Sequence, residues 1–277
     1  MRIARTLTDL RDATASLRAS HGALALVPTM GALHDGHRAL VHAAVASKAA
    51  VVTSIFVNPL QFGVAEDLAR YPRDEAGDLA ILDACGCALA WMPDVATMYP
   101  PADATTISVT GPAENHEGAA RPGHFRGVAT VCAKLFGQVR PDRAYFGEKD
   151  WQQLQVIRRM VDDLLLPLSI VGVATVRERN GLALSSRNRF LSEADRARAP
   201  LLYAELTAAA RELAAGDDAK QPLTKARERL PREGFDVEYF ALVDGRTLVE
   251  LPRTAAGARL IAAARLGPVR LLDNVAA

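Results

Sequence analysis

Cysteine is scarce. Three residues, Cys85, Cys87 and Cys132, stand in a chain of 277. An odd and sparse set excludes a disulfide framework. Cys85-Gly86-Cys87 has no second Cys/His pair at a zinc-like spacing, so small buried thiols are the simpler reading. Lysine is scarce as well, five of the 33 cations, so a lysine in a distinctive context is informative. Charge of one sign is missing: 33 basic and 32 acidic residues leave a net charge of +1. That balance argues against a protein that covers a nucleic-acid backbone, though it permits one small anionic ligand in a local pocket. No apolar run reaches the ~18–20 residues of a membrane helix. The opening MRIARTLTDLRDA is charged and lacks the apolar core of a signal peptide. The expectation is a cytoplasmic protein with neither nucleic acid nor membrane as partner.

What is present is ordinary for a globular chain, with 49% hydrophobic and 23% charged residues. The length suits one large domain or two smaller ones. Apolar runs at Ala23–Val27, Ala50–Val57, Cys87–Met92, Arg143–Phe146 and Leu168–Val176 alternate with helical stretches. Those stretches are Asp35–Ala49, Glu75–Cys85, Arg126–Phe136 and Trp151–Leu165. Strands apolar throughout and separated by helices predict an α/β fold, a Rossmann-like doubly wound parallel sheet over residues 1–176. After a polar loop, Arg177–Leu191, the pattern changes. Helices over Glu193–Ala215 and Gln221–Arg232 precede short strands at Val237–Val243, Arg259–Ala264 and Val269–Leu272. They predict a smaller C-terminal α+β domain over 177–277.

The segment Pro28-Thr29-Met30-Gly31-Ala32-Leu33-His34-Asp35-Gly36-His37 leaves the first of these runs and opens a helix. Ligands of doubly wound sheets bind beyond the carboxyl ends of the strands, and a helix N-terminus there offers N–H groups to an anion. Gly31 and Gly36 let a backbone or a phosphate approach. His34 and His37, three apart, share a helix face and can converge on one phosphate, donating hydrogen bonds as charge develops. Two surface histidines beside a turn are the plainer alternative. As metal ligands they lack a third partner, so no protein-held metal is expected. Neither G-x-x-x-x-G-K-[ST] nor G-x-G-x-x-G occurs.

Phe146-Gly147-Glu148-Lys149-Asp150-Trp151-Gln152-Gln153 joins another strand end to a helix. Lys149 suits phosphate and Asp150 suits ribose hydroxyls, although capping and solvation would also explain them. Leu184-Ser185-Ser186-Arg187-Asn188 offers two hydroxyls and a guanidinium fork, fit for a triphosphate tail or for a capped polar loop. Asn58-Pro59-Leu60-Gln61-Phe62 places neutral amides at a strand end, where they can read the oxygens of a hydroxy acid. Pro122–Gly127 is a glycine-flanked turn with a histidine and an arginine, and both segments could be turn chemistry only.

In this order the motifs PTMGALHDGH, SIFVNPLQF, EDLARYPR, RPGHFRGVATVCAKLF, FGEKDWQQL, LALSSRNRFL and VRLLDN cover nearly the whole chain. They resemble the pantothenate synthetase (pantoate–β-alanine ligase) family; H-x-G-H alone points only to nucleotidyltransferases at large. The resemblance implies a homodimer with a C-terminal lid. It implies that ATP and pantoate form an enzyme-bound adenylate, that β-alanine displaces AMP from it, and that Mg²⁺ accompanies the triphosphate. It assigns His37, His34 and Lys149 to catalysis. ATP is given to Met30, Gly31, Ala32, Leu33, His34, Asp35, Gly36 and His37, to Gly147, Glu148, Lys149 and Asp150, and to Val176, Leu184, Ser185, Ser186 and Arg187. Gln61, Gln153 and Asn58 go to pantoate and β-alanine, with Tyr71, His124 and Arg126 behind them. The chain departs from the family pattern conservatively: Asp35 stands for Glu, Trp151 for Tyr or Phe, and Leu184 for Met.

Two rivals are weaker. A nucleotidylyltransferase acting on a phosphorylated acceptor would need further cations. A non-catalytic nucleotide sensor would be expected to have lost a histidine or the lysine, and all are present.

Overall fold

The computed structural model describes residues 1–62, 68, 71–215 and 218–277, so EDLARYPR (66–73) lies partly outside the described residues. The chain forms two compact units. One comprises residues 1–109, 121–148 and 156–174; the other comprises 110–120, 149–155 and 175–277. Two short segments upstream of residue 176, 110–120 and 149–155, thus belong to the second unit.

In the first unit β1 (Arg2–Ala4), β2 (Leu24–Thr29), β3 (Ala50–Ile55), β4 (Leu89–Trp91), β5 (Arg143–Gly147) and β6 (Ser169–Val173) form one sheet. Its order is β1-β4-β3-β2-β5-β6, and every pair is parallel. The helices up to residue 163 are α1 (Leu7–His21), α2 (Asp35–Ala46), α3 (Glu75–Ala84), α4 (Val95–Met98), α5 (Glu117–Ala120), α6 (His124–Val139) and α7 (Trp151–Asp163), of which α5 and the first turn of α7 fall in segments of the second unit. Helices α2 and α3 lay Leu40, Val41, Ala44 and Leu82 on Ala25, Val27, Val51 and Ala90 of the sheet. Helices α1 and α6 pack on each other and on β2. Leu24–Val27 are at most 1% exposed, as a strand covered on both faces must be.

The order β4-β3-β2-β5-β6 reverses its winding between β2 and β5, the place where doubly wound sheets open a crevice. The register shows the opening. β2 pairs with β5 only at Ala25↔Arg143 and Leu26↔Ala144. Beyond that, β2 follows β3 to Thr29↔Ile55, and β5 follows β6 to Gly147↔Val173. Pro28, which has no N–H to offer a neighbour, sits where β2 and β5 part.

The second unit is built on an antiparallel sheet of β7 (Phe235–Asp244), β8 (Ala258–Leu266) and β9 (Val269–Ala276). Helices α8 (Glu193–Arg198), α9 (Leu201–Ala214) and α10 (Lys220–Arg232) belong to it. Leu206 and Leu213 of α9 and Leu230 of α10 join Phe240, Leu242 and Leu260 in its core. The expected single helix over 193–215 is two, because Pro200 cannot continue an α-helical hydrogen-bond ladder. Segments 110–120 and 149–155 are tied in by polar bonds. Gln152 donates to the carbonyls of Pro112 and Asn115 and accepts from the Glu117 N–H. Buried Glu117 pairs with Arg270 of β9 at 2.7 Å. Trp151 donates to the Gly245 carbonyl, and the Arg259 guanidinium lies 3.5 Å over its ring.

Candidate functional site

The loop from β2 into α2 holds a reciprocal pair of histidines. His34 caps α2, its Nδ1 accepting from the Gly36 N–H at 3.1 Å. His37 Nδ1 accepts in turn from the His34 N–H at 3.2 Å. The rings lie 4.2 Å apart, centroid to centroid, and both residues are half-buried. A backbone N–H can only donate, so each Nδ1 is an acceptor and the neutral ring carries its proton on Nε2. Two Nε2–H donors therefore stand at the positive end of a 12-residue helix, beside the parting of β2 and β5.

The turn before them is held by a residue that the sequence did not single out. Asp78 of α3 is 3% exposed and accepts from the Ala32 N–H at 2.9 Å and the Leu33 N–H at 2.7 Å. These two N–H groups are bonded to Asp78. Burial pushes the Asp78 carboxyl above its ordinary range despite the two hydrogen bonds that favour its charge. Gly31 and Ala32 take φ of 79° and 52° in succession, and a Cβ on Gly31 would lie 2.8 Å from Asp78 Oδ2. Only glycine suits that position.

After β3, Asn58, Gln61 and their neighbours form a second cluster in the same unit. Asn58 is 1% exposed. Its Oδ1 accepts from the Tyr99 hydroxyl at 2.8 Å and the Leu60 N–H at 3.2 Å. Its Nδ2 donates to Gln61 Oε1 at 3.0 Å and the Gly127 carbonyl at 3.1 Å. All four positions of the amide are filled by protein, which places Asn58 to orient Gln61. His124 Nδ1 donates to the Gln61 carbonyl at 2.9 Å, and Arg121 donates to His124 Nε2 at 3.1 Å. His124 is thus a clamp on the backbone of Gln61. Gly127 of α6 faces this turn so closely that a Cβ there would run into the Leu60 carbonyl. Tyr71 stacks edge-on with Phe62 at 5.7 Å, and Arg126 is exposed. Gly147, at the end of β5, is open: a Cβ there would meet no atom within 4 Å.

The remaining residues lie in the second unit. Lys149 Nζ is 3.6 Å from Asp150 Oδ1, and the Lys149 carbonyl accepts from Asn274 Nδ2 at 2.8 Å. Gln153 is half-buried on α7, one step round the helix from the structural Gln152. The Val176 carbonyl accepts from the Leu184 N–H at 3.0 Å, and Arg177 bridges Ala183, so the loop closes as a small hairpin. Ser185 Oγ accepts from the Arg187 N–H at 3.2 Å and caps the short turn Ser186–Phe190. This is the capping role that the sequence left open for it. Ser186 is half-buried and Arg187 exposed.

Comparison with known proteins gives a consistent result. The family described as pantoate-beta-alanine ligase matches residues 2–276. A pantothenate synthetase of Granulibacter bethesdensis is 60% identical over 277 residues, covering 99% of this chain and 96% of its own. One of Acidiphilium cryptum is 58% identical over the full length of both. The crystal structure of pantothenate synthetase from Thermus thermophilus superposes with a TM-score of 0.94 at 48% identity, covering 100% and 99% of the two chains. That of pantoate-beta-alanine ligase from Francisella tularensis, complexed with beta-gamma ATP and beta-alanine, gives 0.81 at 32% identity over 100% and 97%.

Proposed function

This chain belongs to the pantoate–β-alanine ligase family, and we propose that it joins pantoate to β-alanine in two steps at the residues described above. In the first, a pantoate carboxylate oxygen attacks the α-phosphorus of ATP. The bond to the bridging oxygen breaks, and pyrophosphate leaves with the electron pair. In the second, the β-alanine nitrogen attacks the acyl carbon of the adenylate. The C–O bond breaks, AMP departs, and the amine gives up a proton. No covalent enzyme nucleophile is needed, so positioning and charge stabilisation carry the catalysis.

The observation that carries this reading is the reciprocal capping of His34 and His37, which makes Nε2–H the donor of each ring at the helix start beside the switch point. They donate to the phosphate as charge builds on it. Met30, Asp35 and Gly36 complete the first ATP-binding stretch. Gly147 and Asp150 take the ribose, with Glu148 beside them. The backbone of Val176 takes adenine, which Leu184 packs against. Lys149, Ser185, Ser186 and Arg187 take phosphoryl oxygens. Gln61 and Gln153 bind pantoate. Mg²⁺ enters as part of the MgATP substrate, where it screens phosphate charge. Among the described residues no group of three His, Cys, Asp or Glu is placed to hold a metal ion. In the same reading the enzyme works as a cytoplasmic homodimer, which light scattering and cell fractionation check.

The test is a product assay. Enzyme with ATP, Mg²⁺, pantoate and β-alanine yields pantothenate and AMP, and omission of β-alanine yields pantoyl adenylate. ATP turnover without pantothenate overturns the proposal.

A further inference from the structure

We infer that Asn58 and Tyr99 are positioning residues that fix the polarity of the Gln61 amide, so that Gln61 offers its substrate a hydrogen-bond donor and never an acceptor. The inference rests on the assignment of Gln61 to pantoate.

Two backbone groups beside Asn58 have hydrogen-bonding roles that cannot change. The Leu60 N–H can only donate, so the atom of Asn58 facing it is Oδ1. The Gly127 carbonyl can only accept, so the atom facing it is Nδ2. The side chain of Asn58 is therefore held in one of its two flip states. The remaining positions of its amide then dictate their partners. The second hydrogen on Nδ2 must meet an acceptor, and it meets Gln61 Oε1 at 3.0 Å. The second lone pair on Oδ1 must meet a donor, and it meets the Tyr99 hydroxyl at 2.8 Å. With Oε1 committed, the Gln61 amide turns Nε2 the other way, where it meets Met30 Sδ at 3.1 Å.

A thioether is a weak acceptor. Gln61 Nε2 thus rests on a partner that a carboxylate or hydroxyl oxygen displaces at little cost. The subsite reads an acceptor oxygen of the hydroxy acid, and its polarity is set by a residue that touches no substrate. Tyr99 is itself held in place. Its ring lies 6.1 Å from that of Phe56, and the Lys134 ammonium, paired with Asp103, sits 5.1 Å above it.

Three single variants and one double variant test this, with KM for pantoate and for ATP measured separately from pH 6 to 9. Gln61→Ala removes the donor and is expected to raise the pantoate KM about 10- to 100-fold, the scale of one hydrogen bond to a charged group, while leaving the ATP KM within about threefold. Asn58→Asp keeps both contacts of Oδ1 but sets an acceptor against Gln61 Oε1. It is expected to match the Gln61→Ala loss at alkaline pH, and to recover toward acid pH as the buried carboxyl takes up a proton and can donate again. Tyr99→Phe keeps the ring and is expected to raise the pantoate KM about 3- to 10-fold. The double variant Tyr99→Phe/Gln61→Ala is expected to be no worse for pantoate than Gln61→Ala alone, because the hydroxyl acts through the amide. A merely structural Tyr99 would give losses that multiply. Multiplying losses, or a pantoate KM in Asn58→Asp within about threefold of wild type at every pH, overturn the inference. If Asn58→Asp does not fold, the Tyr99 cycle decides alone. An unchanged pantoate KM in Gln61→Ala overturns the underlying subsite assignment instead.

Discussion

Removing the Asp78 carboxylate should unfasten the turn that leads into the histidines. In Asp78→Ala the N–H groups of Ala32 and Leu33 lose the acceptors they now reach at 2.9 and 2.7 Å. Each orphaned buried donor costs about 1–3 kcal/mol. Against this stands the removal of a carboxylate that is 3% exposed and whose charge burial disfavours. The two together leave an expected loss of about 3 kcal/mol in urea unfolding followed by circular dichroism. The loss has a second consequence. Ala32 sits at φ 52°, a conformation costing of order 1 kcal/mol that survives only while its surroundings enforce it. Once released, the turn relaxes and the cap of α2 shifts, so adenylate formation in a single turnover should slow by at least about tenfold. The pH dependence carries a sign. A carboxyl whose folded-state pKa is raised holds its proton more tightly in the folded chain. Its contribution is therefore greatest below the ordinary carboxylate value and declines as pH rises through the raised value. Wild type minus Asp78→Ala should follow that slope. A variant within about 0.5 kcal/mol of wild type, with an unchanged single-turnover rate, would refute the reasoning.

Three other substitutions probe different parts of the chain. His37→Ala removes one Nε2–H donor and the acceptor for the His34 N–H, and should slow adenylate formation about 10²–10³-fold in a single turnover; a rate within about threefold of wild type contradicts the assignment. Gly127→Ala should destabilise the protein although alanine is the better helix former by about 1 kcal/mol, because its Cβ would run into the Leu60 carbonyl; the pantoate KM should rise more than that for ATP, and a stabilised variant would show that the turn yields. Arg177→Met leaves Asp273, 4% exposed, without the guanidinium that now reaches it at 2.5 and 2.8 Å. Loss of one partner of such a buried pair costs about 3–5 kcal/mol, read as a lower urea midpoint.

Where an element announces itself through a repeating apolar pattern, the sequence was enough. The sheet strands from β2 to β6 and the helices α2, α3, α6 and α7 lie within a few residues of their expected places. The strands β7 to β9 were legible too, though each runs longer than its apolar core suggested. The opening β1 and α1 went unread because α1 buries only Leu10, Ala13 and Thr14 and is otherwise polar. Its one local signal was the capping box of Thr6 and Asp9. The break at Pro200 was readable and outweighed by the apolar periodicity around it. Asp78 could not have been found: it lies among helix-forming residues, and its partners are 45 and 46 positions upstream. Asn58 was found, but its partners Tyr99 and Gly127 were not. An amide at a strand end looks the same in sequence whether it faces a ligand or its neighbours, and only the filled valences separate the two.

Those filled valences explain more than Asn58. His34 and His37 spend their Nδ1 acceptors on backbone N–H groups, and Gln61 spends its Oε1 on Asn58. Each turns an acceptor toward the protein and carries its donor on the other side. Asp78, a carboxylate beside the same loop, is aimed at two N–H groups and so presents its charge to the backbone. His34, His37 and Gln61 thus each commit an acceptor to the protein, while the Asp35 carboxylate between the histidines stays exposed. The proposed first step brings a carboxylate and a triphosphate, two anions, together, and oriented donors lower that repulsion. The selectivity follows from the same source. An uncharged analogue of either reactant would leave these donors facing a weaker acceptor, losing about 1–3 kcal/mol per donor. Replacement of the pantoate carboxylate by a carboxamide should therefore weaken binding about 10- to 100-fold in wild type, and far less in Gln61→Ala, if that carboxylate is what Gln61 reads.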